Sequence, residues 1–166
     1  MLADKYRERI DGILAKYPEG HRRAAIMPLL YMAQHEYGYL SRQAVDEVAG
    51  ILGLDPTEVG KLIGFYTLFH DEPGGRARVQ ICTDLPCALR GAEHFADALC
   101  ENIGVQLGET TEDGALTIEA VMCLAGCDRA PMFQVQDSEG IHYHENQTVE
   151  SAMEIIEGLR KQAADD

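Results

Sequence analysis

The stretch Arg78-Val-Gln-Ile-Cys-Thr-Asp-Leu-Pro-Cys87 decides how the chain is read. Val79 and Ile81 alternate with Arg78 and Gln80, the period of a β-strand. The strand runs out at Cys82, and Cys87 completes a C-x4-C pair. Further on, Leu116, Ile118 and Ala120 alternate as a second strand. Where that strand ends, Cys123-Leu-Ala-Gly-Cys127 forms a C-x3-C pair. Loops that leave strand ends on one side of a sheet can converge on one small volume, which would bring four thiols together.

The periodicity around these pairs completes a domain. A helix is expected from about Leu89 to Ile103, with Ala92, Phe95, Ala96, Leu99 and Ile103 facing inward and Gly104 ending it. Phe133 and Val135, a turn at Asp137–Gly140, then Ile141 and Tyr143 read as a hairpin. Thr148 caps a last helix whose apolar face is Ala152, Ile155, Ile156 and Leu159. The tail from Lys161 to Asp166 reads as frayed. The order is β-α-β-β-α over residues 77–166.

Residues 1–70 have the helical period throughout. Tyr6, Ile10, Ile13, Leu14 and Tyr17 lie on one face, and Pro18 and Gly20 end that helix. A second helix runs from about Arg22 to Tyr37, with Pro28 either kinking it or marking its true start, and Gly38 stopping it. Ser41 caps a third that runs through Ala49 and stops at Gly50. Asp55, Pro56 and Glu58 start a fourth: a cap, a first-turn proline and an early acid. Its apolar face is Val59, Leu62, Ile63 and Tyr66. His70–Ala77, with Pro73, Gly74 and Gly75, reads as a linker. The fold class is therefore α+β, an N-terminal helical bundle over 1–70 followed by the mixed domain.

Composition narrows the function. The 166 residues carry 14 Lys+Arg against 28 Asp+Glu, a formal charge of −14. That charge opposes binding of nucleic acid through its phosphates, or of an anionic membrane surface. No apolar run approaches the ~18 residues a spanning helix needs, so no membrane insertion is expected. MLADKYRERI lacks an apolar signal core, so secretion is not expected. Five cysteines are an odd number, and in a reducing compartment paired cysteines favour metal over disulfide.

Two short cysteine pairs suit either a tetrathiolate zinc or a [2Fe–2S] cluster, and spacing alone leaves both open. The cluster has two irons that each take two thiolates, one pair per iron. Gly91 and Gly126 are expected to let backbone approach closely. A redox dithiol is disfavoured because no C-x-x-C is present. Cys100, on a helix at the edge of its apolar face, reads as a packed small hydrophobe.

Taken together, Cys82-Thr-Asp-Leu-Pro-Cys-Ala-Leu-Arg-Gly-Ala92 and Cys123-Leu-Ala-Gly-Cys-Asp-Arg-Ala-Pro131 resemble the small ferredoxin-like subunit of the NADH-oxidising module of respiratory complex I. Arg22–Leu30, Tyr37–Leu40 and Gly64–Phe69 extend the likeness over nearly the whole chain. The resemblance implies a thioredoxin-like ferredoxin domain and one [2Fe–2S] cluster on Cys82, Cys87, Cys123 and Cys127. It implies docking to a flavoprotein subunit that binds NADH and FMN, beside other iron–sulfur subunits of a peripheral arm. That arm lies on the cytoplasmic face of the bacterial inner membrane. Related modules occur in NAD-reducing hydrogenases and NAD-dependent formate dehydrogenases, and a zinc-stabilised adaptor is the non-redox alternative. Cys-Leu-Ala-Gly-Cys departs from the commoner Cys-Leu-Gly-Ala-Cys and Cys-Leu-Gly-Ser-Cys, without touching a ligand.

No Ser/His/Asp arrangement, phosphate-binding glycine loop or dinucleotide fingerprint is present, so a partner must oxidise any NADH. The bundle's apolar surface is then a docking surface. Asp84 in the first loop is expected to lower a cluster's potential, and Arg129 to offset Asp128. Pro86 reads as turn chemistry, and Pro131 sits beside a ligand loop. His142 and His144 share one side of a hairpin strand and read as exposed rather than metal-binding. Tyr31, Tyr37 and Tyr39 read as bundle core and interface.

Overall fold

A computed structural model describes residues 1–165 as two compact units, Met1–Pro73 and Gly74–Asp166. In the first unit, α1 (Leu2–Lys5) and α2 (Arg7–Leu14) replace the single expected helix. The chain leaves helical geometry at Tyr6, with φ −120° and ψ 26°. The break has a tertiary cause. Tyr6 Oη donates to Glu36 at 2.6 Å, Lys5 Nζ donates to the same carboxylate at 2.7 Å, and the Leu2 N–H reaches Glu47 at 2.7 Å. These bonds, with the buried Leu2 side chain, outweigh one turn of helix continuity.

A 3-10 turn (Arg22–Ala25) leads into α3 (Ile26–Tyr37). Pro28 thus falls in the first turn of α3, where a missing N–H costs nothing, and marks the start rather than a kink. Gly38 ends α3 with φ 79°. α4 (Arg42–Leu52) is capped by Ser41, whose Oγ accepts from the Ala44 N–H at 3.2 Å. It does not stop at Gly50; the left-handed residue is Gly53, φ 67°. A glycine inside a helix costs about 0.5–1 kcal/mol. Burying Leu52, two residues further on, returns about 1.5–3 kcal/mol, so the helix continues. α5 (Pro56–Ile63) starts from Asp55, whose Oδ1 accepts from the Thr57 N–H at 2.8 Å. Tyr66, expected on its apolar face, lies beyond the helix and is exposed.

Leu29, Leu30, Ala33, Leu40, Val48 and Val59 fill the core of this unit. Residues 68–70, partly read as linker, belong to it. Gln34, buried in α3, donates to Leu68 O and accepts from the His70 N–H, both at 2.8 Å. Tyr31 packs on Phe69 and Tyr37 Oη donates to Glu47.

The second unit holds β1 (Ala77–Cys82), α6 (Leu85–Ala88), α7 (Ala92–Ile103), β2 (Leu116–Val121), β3 (Phe133–Gln136), β4 (Ile141–His144) and α8 (Val149–Asp165). The sheet order is β2-β1-β3-β4, with β1 and β2 parallel and the other pairs antiparallel. Val79, Ile81, Leu116, Ile118, Phe133 and Val135 share one face, packed against α7 and α8. The fold is α+β, as the sequence indicates. The helix expected from Leu89 starts at Ala92 instead, after Gly91 at φ 86°; Leu89 ends the preceding α6 and is exposed. Ala120, which alternates with Leu116 and Ile118, is exposed near the end of β2, unlike those two. The other face of β1 is polar yet buried at Gln80, which bonds Gln134 and Glu119; Arg78 also pairs with Glu119. Thr148 Oγ1 accepts from the Ser151 N–H at 3.2 Å to start α8. The tail is not frayed from Lys161. α8 runs to Asp165 because Ala163 still packs on the core, and Asp166 lies outside the described residues.

Candidate metal centre

β1 and β2 are parallel, and Cys82 stands level with Val121, so both strands deliver their loops to the same end of the sheet. Cys82 is the last residue of β1, and its N–H donates to Met132 O at 3.1 Å. The Thr83 N–H then donates to Val121 O at 3.0 Å, holding the two loop starts together. Asp84 Oδ1 accepts from the Leu85 N–H at 2.9 Å and opens α6, with Pro86 in its first turn. α6 carries Cys87 inward. Cys82 and Cys87, each 1% exposed, pack with Ala92, Ala130 and Met132.

The second loop is built differently. Cys123 and Cys127 are exposed, and their sulfurs lie 3.5 Å apart. The Ala125 N–H donates to Cys123 Sγ at 3.3 Å. Ala125 is left-handed, φ 64°, at the position where the commoner family motif has glycine. At Gly126 a Cβ would stand 2.5 Å from Met132 Sδ, the flexible end of that side chain. Gly91 takes a left-handed turn, φ 86°, with open space around it. A 3-10 turn (Cys127–Arg129) follows, and the Ala130–Pro131 peptide is cis.

The thiols act on one another electrostatically. Burial first, then Cys82, Cys127 and Cys123, push the Cys87 thiol up to about 12. Cys127 is also raised, chiefly by its contact with Cys123, with smaller contributions from Cys82 and Asp84. So the Asp84 carboxylate bears on the second pair. Cys87 and Cys127, one thiol in each pair, resist ionising, and they become thiolates when cations replace their protons. Two thiolates on one tetrahedral metal at about 2.3 Å stand about 3.8 Å apart, near the 3.5 Å span of the Cys123–Cys127 pair. The donor set therefore fits a cluster that takes its thiolates in pairs.

Other sequence candidates fall elsewhere. Cys100 is buried among Phe95, Leu99 and Ile103, and burial raises its thiol. His142 is exposed, whereas His144 is half-buried with its ring 4.9 Å from Phe133, a contact that alternation in the strand could not show. Burial lowers the His144 pKa. Among the described residues, no group of three or more His, Cys, Asp or Glu side chains is gathered to hold a single ion. Arg129 sits 3.7 Å from Asp128 but bonds Glu145 more closely, at 2.7 Å. Arg90, not singled out from sequence, donates to Asp128 O and Ala130 O, each at 3.3 Å. Among the described residues no helix is long and apolar enough to cross a membrane.

A family model described as thioredoxin-like [2Fe-2S] ferredoxin matches residues 10–160. The chain is 43% identical over 154 residues to an NADH-quinone oxidoreductase subunit of Rhizobium meliloti (strain 1021), covering 93% of this chain and 88% of that protein. It is 38% identical over 157 residues to NADH-quinone oxidoreductase subunit 2 of Thermus thermophilus, covering 95% of this chain and 85% of that one. Among solved structures, an NAD+-reducing [NiFe]-hydrogenase in the air-oxidized state superposes with TM-score 0.67 at 22% identity, over 81% of this chain and 23% of that chain. At that identity the likeness is one of fold.

Proposed function

The chain belongs to the thioredoxin-like [2Fe–2S] ferredoxin family, and from that premise we propose that it is the electron-transfer subunit of an NADH:quinone oxidoreductase. In this reading Cys82, Cys87, Cys123 and Cys127 hold the family's one [2Fe–2S] cluster, one iron to each pair. When bound, the cluster accepts and returns one electron. Cys82 and Cys87 seat one side of it out of water, against Ala92, Ala130 and Met132. Cys123 and Cys127 hold the side open to solvent in this chain. The Asp84 carboxylate opposes added negative charge and so lowers the potential. In this reading NADH and FMN belong to a flavoprotein partner subunit, and this subunit does not oxidise NADH alone. The N-terminal helical unit, residues 1–70 by the sequence boundary, docks that partner, with the other iron–sulfur subunits of the peripheral arm nearby. The assembly sits on the cytoplasmic face of the bacterial inner membrane.

The observation that carries this reading is the 43% identity to a quinone oxidoreductase subunit across 93% of the chain. The fold likeness to a hydrogenase keeps a soluble NAD-linked complex as the second reading. Anaerobic purification from the native host tests both. We expect about two irons and two sulfides per chain, a rhombic S = 1/2 signal after dithionite, and co-purification with membrane-bound quinone oxidoreductase subunits. Co-purification with a hydrogenase or formate dehydrogenase would select the second reading. Zinc without sulfide, in freshly prepared protein, would overturn both.

A further inference from the structure

The segment after Cys127 is held by its carbonyls, which are taken alternately from two sides. Asp128 O and Ala130 O both accept from Arg90 Nη1, each at 3.3 Å. Between and after them, Arg129 O accepts from the Asn146 N–H at 2.7 Å, and Pro131 O accepts from the Gln147 N–H at 2.9 Å. The Arg129 side chain bonds Glu145, on the same side as Asn146 and Gln147. One flank of the segment is thus tied to residues 145–147 and the other to a single guanidinium.

Arg90 is itself fixed to the first cysteine loop. Its N–H donates to Cys87 O at 3.0 Å, at the end of α6. One residue therefore binds the backbone of Cys87 through its main chain and the backbone beside Cys127 through its side chain. Thr83 Oγ1 also donates to Val121 O, at 3.4 Å, but that bond joins the loops only where they begin, whereas Arg90 joins them beside Cys87 and Cys127.

We propose that Arg90 is a positioning residue for the cluster: a clasp that fixes the Cys127 loop relative to Cys87 and keeps a positive charge beside the ligands. The inference rests on the assignment of the four cysteines as ligands. The geometry demands arginine. Both carbonyls are met by Nη1, and lysine ends about one bond short of that atom. Lysine at this position keeps the charge and loses the reach, so the two parts of the role separate. The neighbours of metal ligands typically set metal affinity by about 10–100-fold, which is the scale expected for the clasp. The charge favours the more negative, reduced state of the site. Its effect is cut by solvent because Arg90 is exposed.

The test uses the full chain carrying its cluster, with Arg90→Gln and Arg90→Lys. Circular dichroism of each variant checks folding. Loss of the cluster to an iron chelator is followed anaerobically by its visible absorption, and the midpoint potential by an EPR-monitored titration. Both variants are expected to lose the cluster about tenfold faster than the wild type. Only Arg90→Gln should lower the midpoint, by a roughly threefold change in the oxidised-to-reduced ratio, about 28 mV on the one-electron scale of 59 mV per decade. Arg90→Lys retaining its cluster as the wild type does would overturn the clasp, as would Arg90→Gln unchanged in both measurements. Wild-type protein without two irons and two sulfides would instead count against the ligand assignment itself.

Discussion

The two cysteine pairs have nearly the same spacing and opposite surroundings. Cys82 and Cys87 are each 1% exposed, set in an apolar nest at the root of the sheet. Cys123 and Cys127 are exposed on a loop whose main chain passes through the left-handed region at Ala125. The first pair is placed by regular structure, the end of β1 and a short helix. The second is placed by hydrogen bonds from residues distant in sequence, Arg90 on one flank and Asn146 and Gln147 on the other. One pair thus forms a rigid, water-poor seat, and the other a tethered flap. In the proposed site the two sides serve different ends: burial protects a cluster, and the open side lets an electron pass.

The largest effect should come from breaking each side in turn. Cys87→Ser removes a proposed ligand and leaves a hydroxyl among Ala92, Ala130 and Met132, which costs about 1–3 kcal/mol if it finds no partner. We expect roughly a tenfold loss of bound iron in purified Cys87→Ser protein. Cys127→Ser should retain a much larger share, because an exposed loop can let the serine oxygen or water complete the site. Equal iron loss in the two variants would show that burial does not distinguish the pairs.

Thiol chemistry in the cluster-free chain sharpens the same contrast. Iodoacetamide at pH 8 should label Cys123 and Cys127 well before Cys82 and Cys87, as mass spectrometry would show. Labelling of Cys87 should keep rising, about tenfold per pH unit, past the ordinary thiol range because only the thiolate reacts. The folded pKa, about 12, lies above the unfolded value of 9.0. Above pH 9 the unfolded chain therefore loses this proton first, so the contribution of Cys87 to stability is full below that value and is lost towards pH 12. Denaturant melts at pH 8 and pH 10 should show the midpoint falling. Cys87 labelling as fast as Cys127 at pH 8 would erase the distinction.

The smallest expected effect concerns the flap alone. Alanine in the left-handed region costs about 1–2 kcal/mol, against about 0.5–1 kcal/mol of chain entropy for glycine. Ala125→Gly should therefore raise the stability of the cluster-free protein by less than about 1 kcal/mol in urea melts. A loss of stability would mean that the Ala125 methyl makes a contact that outweighs its strain.

Local chemistry made much of this legible. Ser41, Asp55 and Thr148 cap the helices they precede, because a cap acts within three residues. The alternation at Val79 and Ile81 marks the inward face of β1 because its period is a property of the strand itself. Other features depended on what the chain meets after folding. Gly50 and Gly53 are equivalent stop signals until Leu52 finds a core to enter. Tyr6 belongs to a helical face until its hydroxyl finds Glu36. Gln80 alternates like a solvent-facing residue, yet Gln134 and Glu119 satisfy it in a buried position.

At the site itself, sequence alone determined the four candidate thiols, their grouping in pairs and their place at strand ends. Those are matters of spacing and strand period, which act over a few residues. Only the tertiary structure decided which pair is buried and which is open. It also decided that the Asp84 charge bears on Cys127, and that Arg90 reaches Asp128 and Ala130. These contacts span about forty residues of chain, and they form only when β1, α7 and β2 have brought the two loops to one end of the sheet.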